Sequence, residues 1–365
     1  MGNDTDNYDL LKGVNDQIFR ENIVVVVYMS VVIVFGIFGN TLSFVFHAFV
    51  EKRKSVTSLL ISALAVNDSC ACFLMIGQYF RIMFFLLFTS DIGCKIFRYL
   101  NYVFLNGSML LLNPIGIERC LKVVCKNQRF HLTRNKARVF VFSVLLYSII
   151  LGCRHFLASG VVDIDVEVMP NQTVVGHVCT YTNQTIPLMK VLSSLDVLNI
   201  AVTNVLLISV YAVMAKKIGL VQKHVDVQPM DSNDESRRLA TTVSSIVLTA
   251  TNSNSGNSDG DQRQRTHVST IPRRLSSNYY ERKITIMLGV ITMSSLLSFV
   301  PYFIVQMGVK PDGRPGVYYY NPLVQIAWRS VMLNSAINPY IIIVFNNTFR
   351  RFIYNVARFK FNSQP

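Results

Sequence analysis

The chain has 365 residues, of which 51% are hydrophobic and only 15% are charged, and its formal net charge is +14. Soluble domains contain roughly a quarter charged residues, so this composition argues against a soluble protein. The positive charge does not indicate nucleic-acid binding, because Lys and Arg are concentrated in alternate segments between long apolar runs. These basic segments hold three residues at 52–54, six at 122–138, eleven at 216–283 and four at 350–360.

Seven segments are long and apolar enough to cross a bilayer, which requires about 20 predominantly apolar residues. The sequence therefore predicts an all-α membrane protein, a bundle of seven transmembrane helices within residues 23–345. The predicted spans are Ile23–Phe49, Val56–Phe88, Ile92–Val124, Val139–Val162, Ile186–Ala215, Ile284–Met307 and Tyr318–Phe345.

The segments outside the spans predict how the chain lies in the membrane. The arm at 1–22 holds five acidic and two basic residues, whereas the loops on the other side and the tail at 346–365 are basic. Basic loops face the cytosol, which predicts a multi-pass plasma-membrane protein with its N-terminus outside and its C-terminus in the cytosol. The loop 218–280 holds sixteen Ser and Thr and is predicted to be disordered. The amphipathic segment Asn347–Phe361 predicts a helix lying at the cytosolic interface.

Short motifs occur in the spans in a fixed order. This ordered set resembles the landmarks of rhodopsin-like (class A) G-protein-coupled receptors, and it covers nearly the whole chain. The motifs are Gly39-Asn40, Leu64-Ala65-Val66-Asn67-Asp68, Cys94, Glu118-Arg119-Cys120, Phe299-Val300-Pro301, Asn334-Ser335-Ala336-Ile337-Asn338-Pro339 and Asn347-Thr348-Phe349-Arg350. The chain departs from the family pattern at Ile342, where the terminal Tyr of the seventh-helix motif usually stands, and at Thr203, where the fifth helix usually has Pro.

The resemblance implies an activation switch. An ionic latch between Arg119 and Glu281 would hold the third and sixth helices together at rest, and its opening would admit a G protein. The alternative is that Arg119 only extends to the membrane interface. The predicted switch residues are Glu118, Arg119, Tyr211, Glu281, Phe299, Pro301, Asn338 and Pro339.

The resemblance also implies a sodium ion in the middle of the bundle, and no other cofactor. Asp68 would be costly alone in hydrocarbon, and neighbouring spans supply polar partners for it. The alternative is a hydrogen-bonded polar cluster without an ion. The residues concerned are Asp68, Ser108, Asn334, Ser335 and Asn338.

Three covalent features are expected. Cys94 and Cys179 are predicted to form a disulfide between the third helix and the second extracellular loop. Sequons at Asn3, Asn171 and Asn183 lie on the predicted outer side and suit glycosylation. In the third cytosolic loop, the paired arginines before Ser276 suit a basophilic kinase, and phosphates added to this loop by receptor kinases would recruit arrestin. The alternative is that the loop is only a solvated linker.

A ligand pocket is expected at the outer end of the bundle. Asn101 stands where an amine receptor needs a carboxylate, and Met332 stands where an opsin needs Lys, so neither class is favoured. The predicted lining residues are Gln78, Tyr79, Arg98, Asn101, Tyr102, Tyr302, Gln306 and Trp328.

Two kinds of ligand fit this lining. The amides and phenols, with the acidic residues Asp163, Asp165 and Glu167 in the second outer loop, favour a peptide, such as an amidated neuropeptide. Arg98, with Arg81 and Arg154 nearby, keeps a small organic anion or a lipid acid as the alternative. These arginines could also only contact lipid headgroups.

The sequence thus predicts a cell-surface receptor of the peptide type that activates heterotrimeric G proteins, and not an enzyme. A seven-span transporter is a remote alternative, because internal repeats and interrupted helices are expected in such folds and neither is evident. A membrane metallohydrolase would need clustered metal ligands, whereas the six His residues are dispersed.

Overall fold

A computed structural model of the chain describes residues 2–51, 55–125, 132–169, 172–182, 186–226, 271–308 and 321–362. Within these ranges the chain forms ten α-helices and one two-stranded antiparallel hairpin, with a π-helical turn, Phe46–Val50, directly after the second helix. The elements are α1 (Gly2–Glu21), α2 (Ile23–Val45), α3 (Val56–Met83), α4 (Asp91–Val124), α5 (Arg134–Ala158), β1 (Ser159–Met169), β2 (Gln172–Tyr181), α6 (Ile186–Asp226), α7 (Ile271–Gly308), α8 (Pro322–Arg329), α9 (Val331–Phe345) and α10 (Asn347–Asn362).

The predicted seven-helix bundle is confirmed. Helices α2 to α7 each contain a stretch that is long and apolar enough to cross a membrane, and α8 and α9 together form the seventh span. This span is interrupted at Ser330, where the Ser330 amide bonds to the Ala327 carbonyl and the Leu333 amide bonds to the Ser330 carbonyl. These bonds connect residues three apart instead of four, so one tighter turn separates α8 from α9.

Polar side chains define where several spans begin. The Ser55 hydroxyl accepts a hydrogen bond from the Ser58 amide at 3.1 Å, and the Ser90 hydroxyl accepts one from the Gly93 amide at 3.1 Å. The Asn321 side chain accepts one from the Leu323 amide at 3.0 Å. Each bond satisfies an amide that the first helical turn leaves without a partner.

Two predicted span boundaries were wrong. The second span was expected to continue to Phe88, but α3 ends at Met83. The fourth was expected to reach Val162, but α5 ends at Ala158. After α3, Phe85 packs instead against the β-hairpin. After α5, residues 159–162 form the start of strand β1.

The third loop on the basic side is shorter than the range expected from the sequence. Helix α6 continues to Asp226, and α7 already begins at Ile271. The helices therefore include both ends of the range 218–280. Disorder was predicted for the whole range 218–280. Residues 227–270 of this range lie outside the described part of the chain, so disorder there stays a prediction.

Helix α4 lies at the centre of the bundle. It packs against α3, α5, α6 and α7 and against strand β1, while α9 closes the bundle between α7 and α2. Two apolar clusters fill the interior. One contains Leu60, Leu111, Leu207, Leu288 and Ile342 near the Arg119 end of the bundle. The other contains Met29, Met75, Met109, Phe299 and Met332 near the opposite end.

The outer surface of the bundle is apolar as well. On α5, Val139, Phe142 and Leu157 are exposed, and on α6 Val205 and Ile208 are exposed. Water would not favour such a surface, whereas lipid chains match it. The chain is therefore a multi-pass membrane protein.

Helix α10 confirms the predicted amphipathic helix after the seventh span. The Phe349 ring is fully buried, with its centroid 5.0 Å from that of Phe46, while Arg350 and Arg351 are exposed. The aromatic side of α10 therefore attaches it to the end of α2.

The predicted disulfide is also confirmed. Cys94 and Cys179 are bonded, with their Cα atoms 5.5 Å apart, and this bond joins the first turn of α4 to strand β2. We refer to this end of the bundle as the disulfide end and to the other as the Arg119 end.

The N-terminal arm is folded, which the sequence did not indicate. Helix α1 packs on the hairpin through an apolar cluster at the disulfide end that includes Leu11, Ile18, Leu86 and Val178. The Asn15 side chain fixes this contact, since its amide nitrogen donates to the Met83 carbonyl at 2.8 Å and its oxygen accepts from the Leu86 amide at 3.0 Å. Helix α1 therefore covers the turn after α3.

We expect Asn15→Ala to loosen α1. The change removes both hydrogen bonds, and an unpaired buried polar group costs about 1–3 kcal/mol. Amide hydrogen exchange in α1 should become at least about fivefold faster, because 1 kcal/mol changes an opening equilibrium by about that factor. Gln17→Ala is the control, since Gln17 is on the same helix and bonds to Glu21 at the exposed surface. Equal exchange in both variants would contradict the role of Asn15.

Candidate functional site

A polar cluster lies in the middle of the bundle around Asp68, which has no exposed surface. The Ser108 hydroxyl donates to one carboxylate oxygen of Asp68, and the Asn338 amide nitrogen donates to the other at 2.8 Å. The Ser335 and Ser108 hydroxyl oxygens are 3.3 Å apart. The structure thus brings together Asp68, Ser108, Ser335 and Asn338 from α3, α4 and α9, as the sequence predicted they should lie.

Two further asparagines connect this polar cluster to neighbouring helices. The Asn67 side chain donates to the Ser108 hydroxyl at 2.7 Å and to the Phe104 carbonyl at 2.7 Å. The Asn40 side chain donates to the Ser335 carbonyl at 2.7 Å. Because hydrocarbon offers no hydrogen bonds, these bonds favour one arrangement of α2, α3, α4 and α9.

The same cluster has the oxygen atoms that a small hard cation prefers. Asn334 is 1% exposed, and neither atom of its amide has a hydrogen-bond partner among the residues that the structure describes. Asn334 directly precedes Ser335 in α9, and an amide oxygen is a ligand that a hard cation accepts. Asp68, Ser108, Asn334 and Ser335 are therefore the residues that could hold such an ion.

A second charged group lies at the Arg119 end. Arg119 is 2% exposed, and its Nε atom is 2.9 Å from a carboxylate oxygen of Glu118. Its Nη2 atom also donates to the Thr57 hydroxyl. Thr57 in turn contacts both carboxylate oxygens of Glu118, at 3.1 and 3.2 Å, and Lys122 pairs with Glu118 at 2.6 Å. This burial argues against the alternative in which Arg119 only extends to the interface.

Thr57 is a residue that the sequence analysis missed. A hydroxyl near the start of an apolar span is common, and nothing in the sequence indicates that it faces Arg119. The predicted partner Glu281 lies on α7, and its side chain is outside the described part of the structure. The latch between Arg119 and Glu281 therefore stays a prediction.

The other predicted switch residues lie in the interior of the bundle. Phe299 is 4% exposed and belongs to the apolar cluster that contains Met29 and Met75. Tyr211 packs against the other cluster, near the Arg119 end. Pro301 is inside α7 and Pro339 is inside α9. Helix α9 passes close to α2 here, since a Cβ atom on Gly39 would be 3.1 Å from Pro339.

A cluster of arginine and aromatic side chains lies at the disulfide end. The Arg98 guanidinium is 4.0 Å from the centroid of the Tyr181 ring. The Arg154 guanidinium is 4.9 Å from the Tyr102 ring centroid and donates to its hydroxyl at 2.6 Å. His155 stacks on Tyr102 with ring centroids 4.1 Å apart, and its Nδ1 atom is 2.9 Å from the Tyr181 hydroxyl. We call these five residues the arginine–tyrosine cluster.

This cluster contains only part of the predicted ligand pocket. Arg98 and Tyr102 were predicted, and Arg154 was noted only as a nearby charge, whereas Tyr181 and His155 were missed. Tyr181 ends strand β2, paired with Ser159, so its place depends on the hairpin and the disulfide. The sequence contains no local signal for that placement.

The remaining predicted lining residues are distributed over four helices, α3, α4, α7 and α8. Tyr79 and Tyr302 pack against the apolar cluster of the disulfide-end half. Gln78, Asn101 and Trp328 are half-buried on α3, α4 and α8. Gln306 lies on α7, with its side chain outside the described residues.

The side chains of the predicted modification sites lie outside the described part of the structure, so these sites stay predictions. Asn171 and Asn183 lie outside the described residues. Asn3 is on α1 and Ser276 is on α7, and the side chains of both are outside the described part.

Known proteins resemble this chain. The family described as 7 transmembrane receptor (rhodopsin family) matches residues 39–342. Cysteinyl leukotriene receptor 1 of Sus scrofa is 28% identical over 151 residues, which are 40% of this chain and 43% of that receptor. The 5-hydroxytryptamine receptor 1D of Rattus norvegicus is 34% identical over 92 residues, which are 25% of this chain and 24% of that receptor. The matched segments span less than half the length of these relatives.

The family match, in contrast, extends from the last part of α2 into α9, and so it includes five whole spans and parts of the first and the seventh. It contains the polar cluster, the charged group around Arg119 and the disulfide. The chain belongs to the rhodopsin family of seven-transmembrane receptors, which are receptors and not enzymes.

Proposed function

We propose that this receptor binds an extracellular ligand through an anionic group, such as the carboxylate of a lipid acid, and activates heterotrimeric G proteins. The observation that carries the proposal is the arginine–tyrosine cluster. Two guanidinium groups, those of Arg98 and Arg154, are held at the disulfide end by aromatic rings and a phenol hydroxyl.

The geometry of these arginines suits an anion. A guanidinium has five N–H donors in a planar fork, and this fork matches the two oxygens of a carboxylate. Stacking on the Tyr181 ring engages a face of the Arg98 guanidinium, whose N–H donors lie in the plane of the group. Because both arginines are partly buried, their bonds to a charged group would be stronger than in water.

The comparisons give limited support to this ligand class. The cysteinyl leukotriene receptors of Sus scrofa and Homo sapiens are named for a lipid-derived ligand, and they match over about two fifths of this chain. The relatives named for 5-hydroxytryptamine match over a quarter of it. An amine is the less favoured ligand, because Asn101 stands where an amine receptor needs a carboxylate.

A peptide is the second candidate, and the exposed face of β1 favours it. Asp163, Asp165 and Glu167 alternate along this strand and are all exposed. They would attract a cationic peptide approaching the disulfide end. Such a peptide could also present its own carboxylate to Arg98 and Arg154.

We place the disulfide end outside the cell, with the receptor in the plasma membrane. The basic loops and α10 are then on the cytosolic side, as the positive-inside rule requires. The Cys94–Cys179 bond suits this orientation, because disulfides persist in oxidising compartments.

The step that opens the cytosolic end would take place at the buried charged group around Arg119. In the resting state, Glu118 and Thr57 hold the Arg119 side chain between α4 and α3, and Glu281 would add a latch from α7. Release of Arg119 would open the cytosolic end to a G protein. Receptor kinases and arrestin would then act on the third cytosolic loop, with Ser276 as one acceptor.

Sodium would stabilise the resting state. Asp68, Ser108, Asn334 and Ser335 would hold the ion, whose charge would offset that of the buried carboxylate. An ion bound there would bridge α3, α4 and α9 and so oppose their rearrangement.

We expect lipid carboxylic acids to activate cells that express this receptor, and their methyl esters to be roughly ten- to a hundredfold weaker. A hydrogen bond to a charged group contributes about 1.5–3 kcal/mol, and the ester lacks the charge. Arg98→Gln and Arg154→Gln should each weaken the response to the acid by a factor similar to that of the methyl ester. Calcium and cyclic-AMP assays measure this response.

Lys95→Gln is the matched control, because Lys95 is at the same end of α4 and pairs with Asp91 at 2.5 Å. A panel of cationic peptides, each with a free and with an amidated C-terminus, tests the second candidate in the same cells. An agonist whose potency is the same on both arginine variants and on the wild type would place the ligand elsewhere.

We expect Thr57→Val to raise ligand-independent G-protein activity. Valine keeps the shape of the side chain but loses the hydrogen bonds to Arg119 and Glu118. Loss of about 1 kcal/mol would increase the active population about fivefold. Ser62→Ala is the control on α3, since the Ser62 hydroxyl bonds to the Ser58 carbonyl of its own helix. Basal activity at the wild-type level, with equal surface expression, would rule out this role for Thr57.

We expect sodium to lower basal G-protein activity in isolated membranes when it replaces choline at constant ionic strength. Asp68→Asn should remove this effect, because the amide has no charge to attract the ion. Asp91→Asn removes a carboxylate at the exposed start of α4 and should leave the effect intact. A sodium effect of equal size in Asp68→Asn would contradict the proposed site.

A further inference from the structure

A hydrogen bond joins the interruption of the seventh span to α7. The Ser330 hydroxyl, at the turn between α8 and α9, donates to the Ser298 carbonyl of α7 at 2.7 Å. Both serines are buried, and hydrocarbon offers no hydrogen bond that could replace this one. The bond therefore holds α7 against the seventh span, and neither serine has a role in the signalling steps proposed above.

Helix α7 is weakened beside this contact. Pro301 is inside α7, and it has no amide hydrogen to donate to the Leu297 carbonyl four residues earlier. Sharp bends in helices commonly occur at such a proline. Because the Ser298 carbonyl directly follows the carbonyl that Pro301 leaves without its helical partner, the bond from Ser330 reaches α7 where bending is easiest.

The seventh span is also weakened at this contact. The Ser330 amide bonds to the Ala327 carbonyl at 3.3 Å, three residues earlier instead of four, and a tight turn inside a helix often marks a hinge. The residue before this turn is fixed to α2, because the Tyr28 hydroxyl donates to the Arg329 carbonyl at 3.2 Å. Two interrupted helices thus meet at the bond between Ser330 and Ser298.

The Ser330 hydroxyl has a second acceptor within reach. Its oxygen is 2.8 Å from the Ala327 carbonyl oxygen of its own span. A hydroxyl has one hydrogen to donate, so a strong bond to one carbonyl weakens the bond to the other. When the hydroxyl leaves Ser298, it can still donate to Ala327. Helix α7 can therefore separate from the seventh span without leaving a buried donor unpaired, which keeps the cost of separation small.

We propose that Ser330 is a positioning residue that couples α8 to the bending of α7. With the hydroxyl on Ser298, α7 is held in the state in which Arg119 is buried. With the hydroxyl on Ala327, α7 is released and can bend. A ligand that moves Trp328, two residues before Ser330, would act on this exchange. The inference rests on the proposed function, in which opening of the Arg119 end admits a G protein.

Ser330→Ala removes the hydroxyl and should raise ligand-independent G-protein activity about threefold at equal surface expression. Hydrogen bonds between membrane helices contribute about 0.6 kcal/mol on average, and 1.4 kcal/mol corresponds to a factor of ten. Ser298→Ala is the matched control. It removes a buried hydroxyl that bonds to the Ser295 carbonyl of its own helix, but it leaves the carbonyl that accepts from Ser330, so its basal activity should equal that of the wild type.

Ser330→Thr distinguishes the hydrogen bond from a merely structural role. It keeps a hydroxyl on the same carbon atom and should keep the basal activity of the wild type. A variant that only loses stability would lower surface expression and signalling together and would not raise basal activity. Wild-type basal activity in Ser330→Ala, or equally raised activity in Ser330→Thr and Ser330→Ala, would contradict the coupling role of the hydroxyl.

Amide hydrogen exchange in the purified full-length receptor tests the contact without a ligand or a G protein, because it measures local opening. In Ser330→Ala, the amides of α7 near Pro301 should exchange about threefold faster, while those of α3 and α5 should be unchanged. Unchanged exchange in α7 would mean that Ser330 does not hold this helix. If even the wild-type receptor did not activate G proteins, the proposed function would fail, whereas the exchange rates would still decide whether Ser330 positions α7.

Discussion

The burial of Asp68 is the constraint on which the bundle depends. A carboxylate in hydrocarbon is stable only if nearby groups satisfy it, and here Ser108 and Asn338 supply both bonds from α4 and α9. Three helices must therefore stay in one register for the charge to be tolerated. Asn40 extends the same network to α2 through the Ser335 carbonyl. A modest rearrangement of α9 would break several of these bonds together, which suits a receptor that changes between two states.

Helix α4 connects this polar cluster to both ends of the molecule. Its 34 residues extend over about 51 Å at 1.5 Å per residue. Along this length it holds Cys94 at the disulfide, Arg98 in the arginine–tyrosine cluster, Ser108 beside Asp68 and Arg119 in the buried charged group. A ligand that shifts one end of α4 thus acts on a helix that already contacts the other functional groups. In the function proposed above, this shared helix would be the physical link between the ligand and the G protein.

The disulfide end is organised by contacts that are distant in sequence. The Cys94–Cys179 bond and the bonds of His177 to the Leu86 and Phe88 backbone hold the hairpin across the bundle. Helix α1 then packs on the outer side of that hairpin. As a result, Tyr181 comes within reach of Arg98.

The sequence by itself determined the class of protein. Apolar runs of sufficient length, alternating basic loops and ordered motifs predicted the seven-helix bundle, the disulfide and the amphipathic α10, because these features depend on composition and spacing along the chain. Only the tertiary structure decided that α3 ends at Met83, that the seventh span is interrupted at Ser330, that Thr57 faces Arg119 and that Tyr181 lies beside Arg98. Those features depend on which residues from distant segments meet, and neither hydrophobic periodicity nor a motif within one span contains that information.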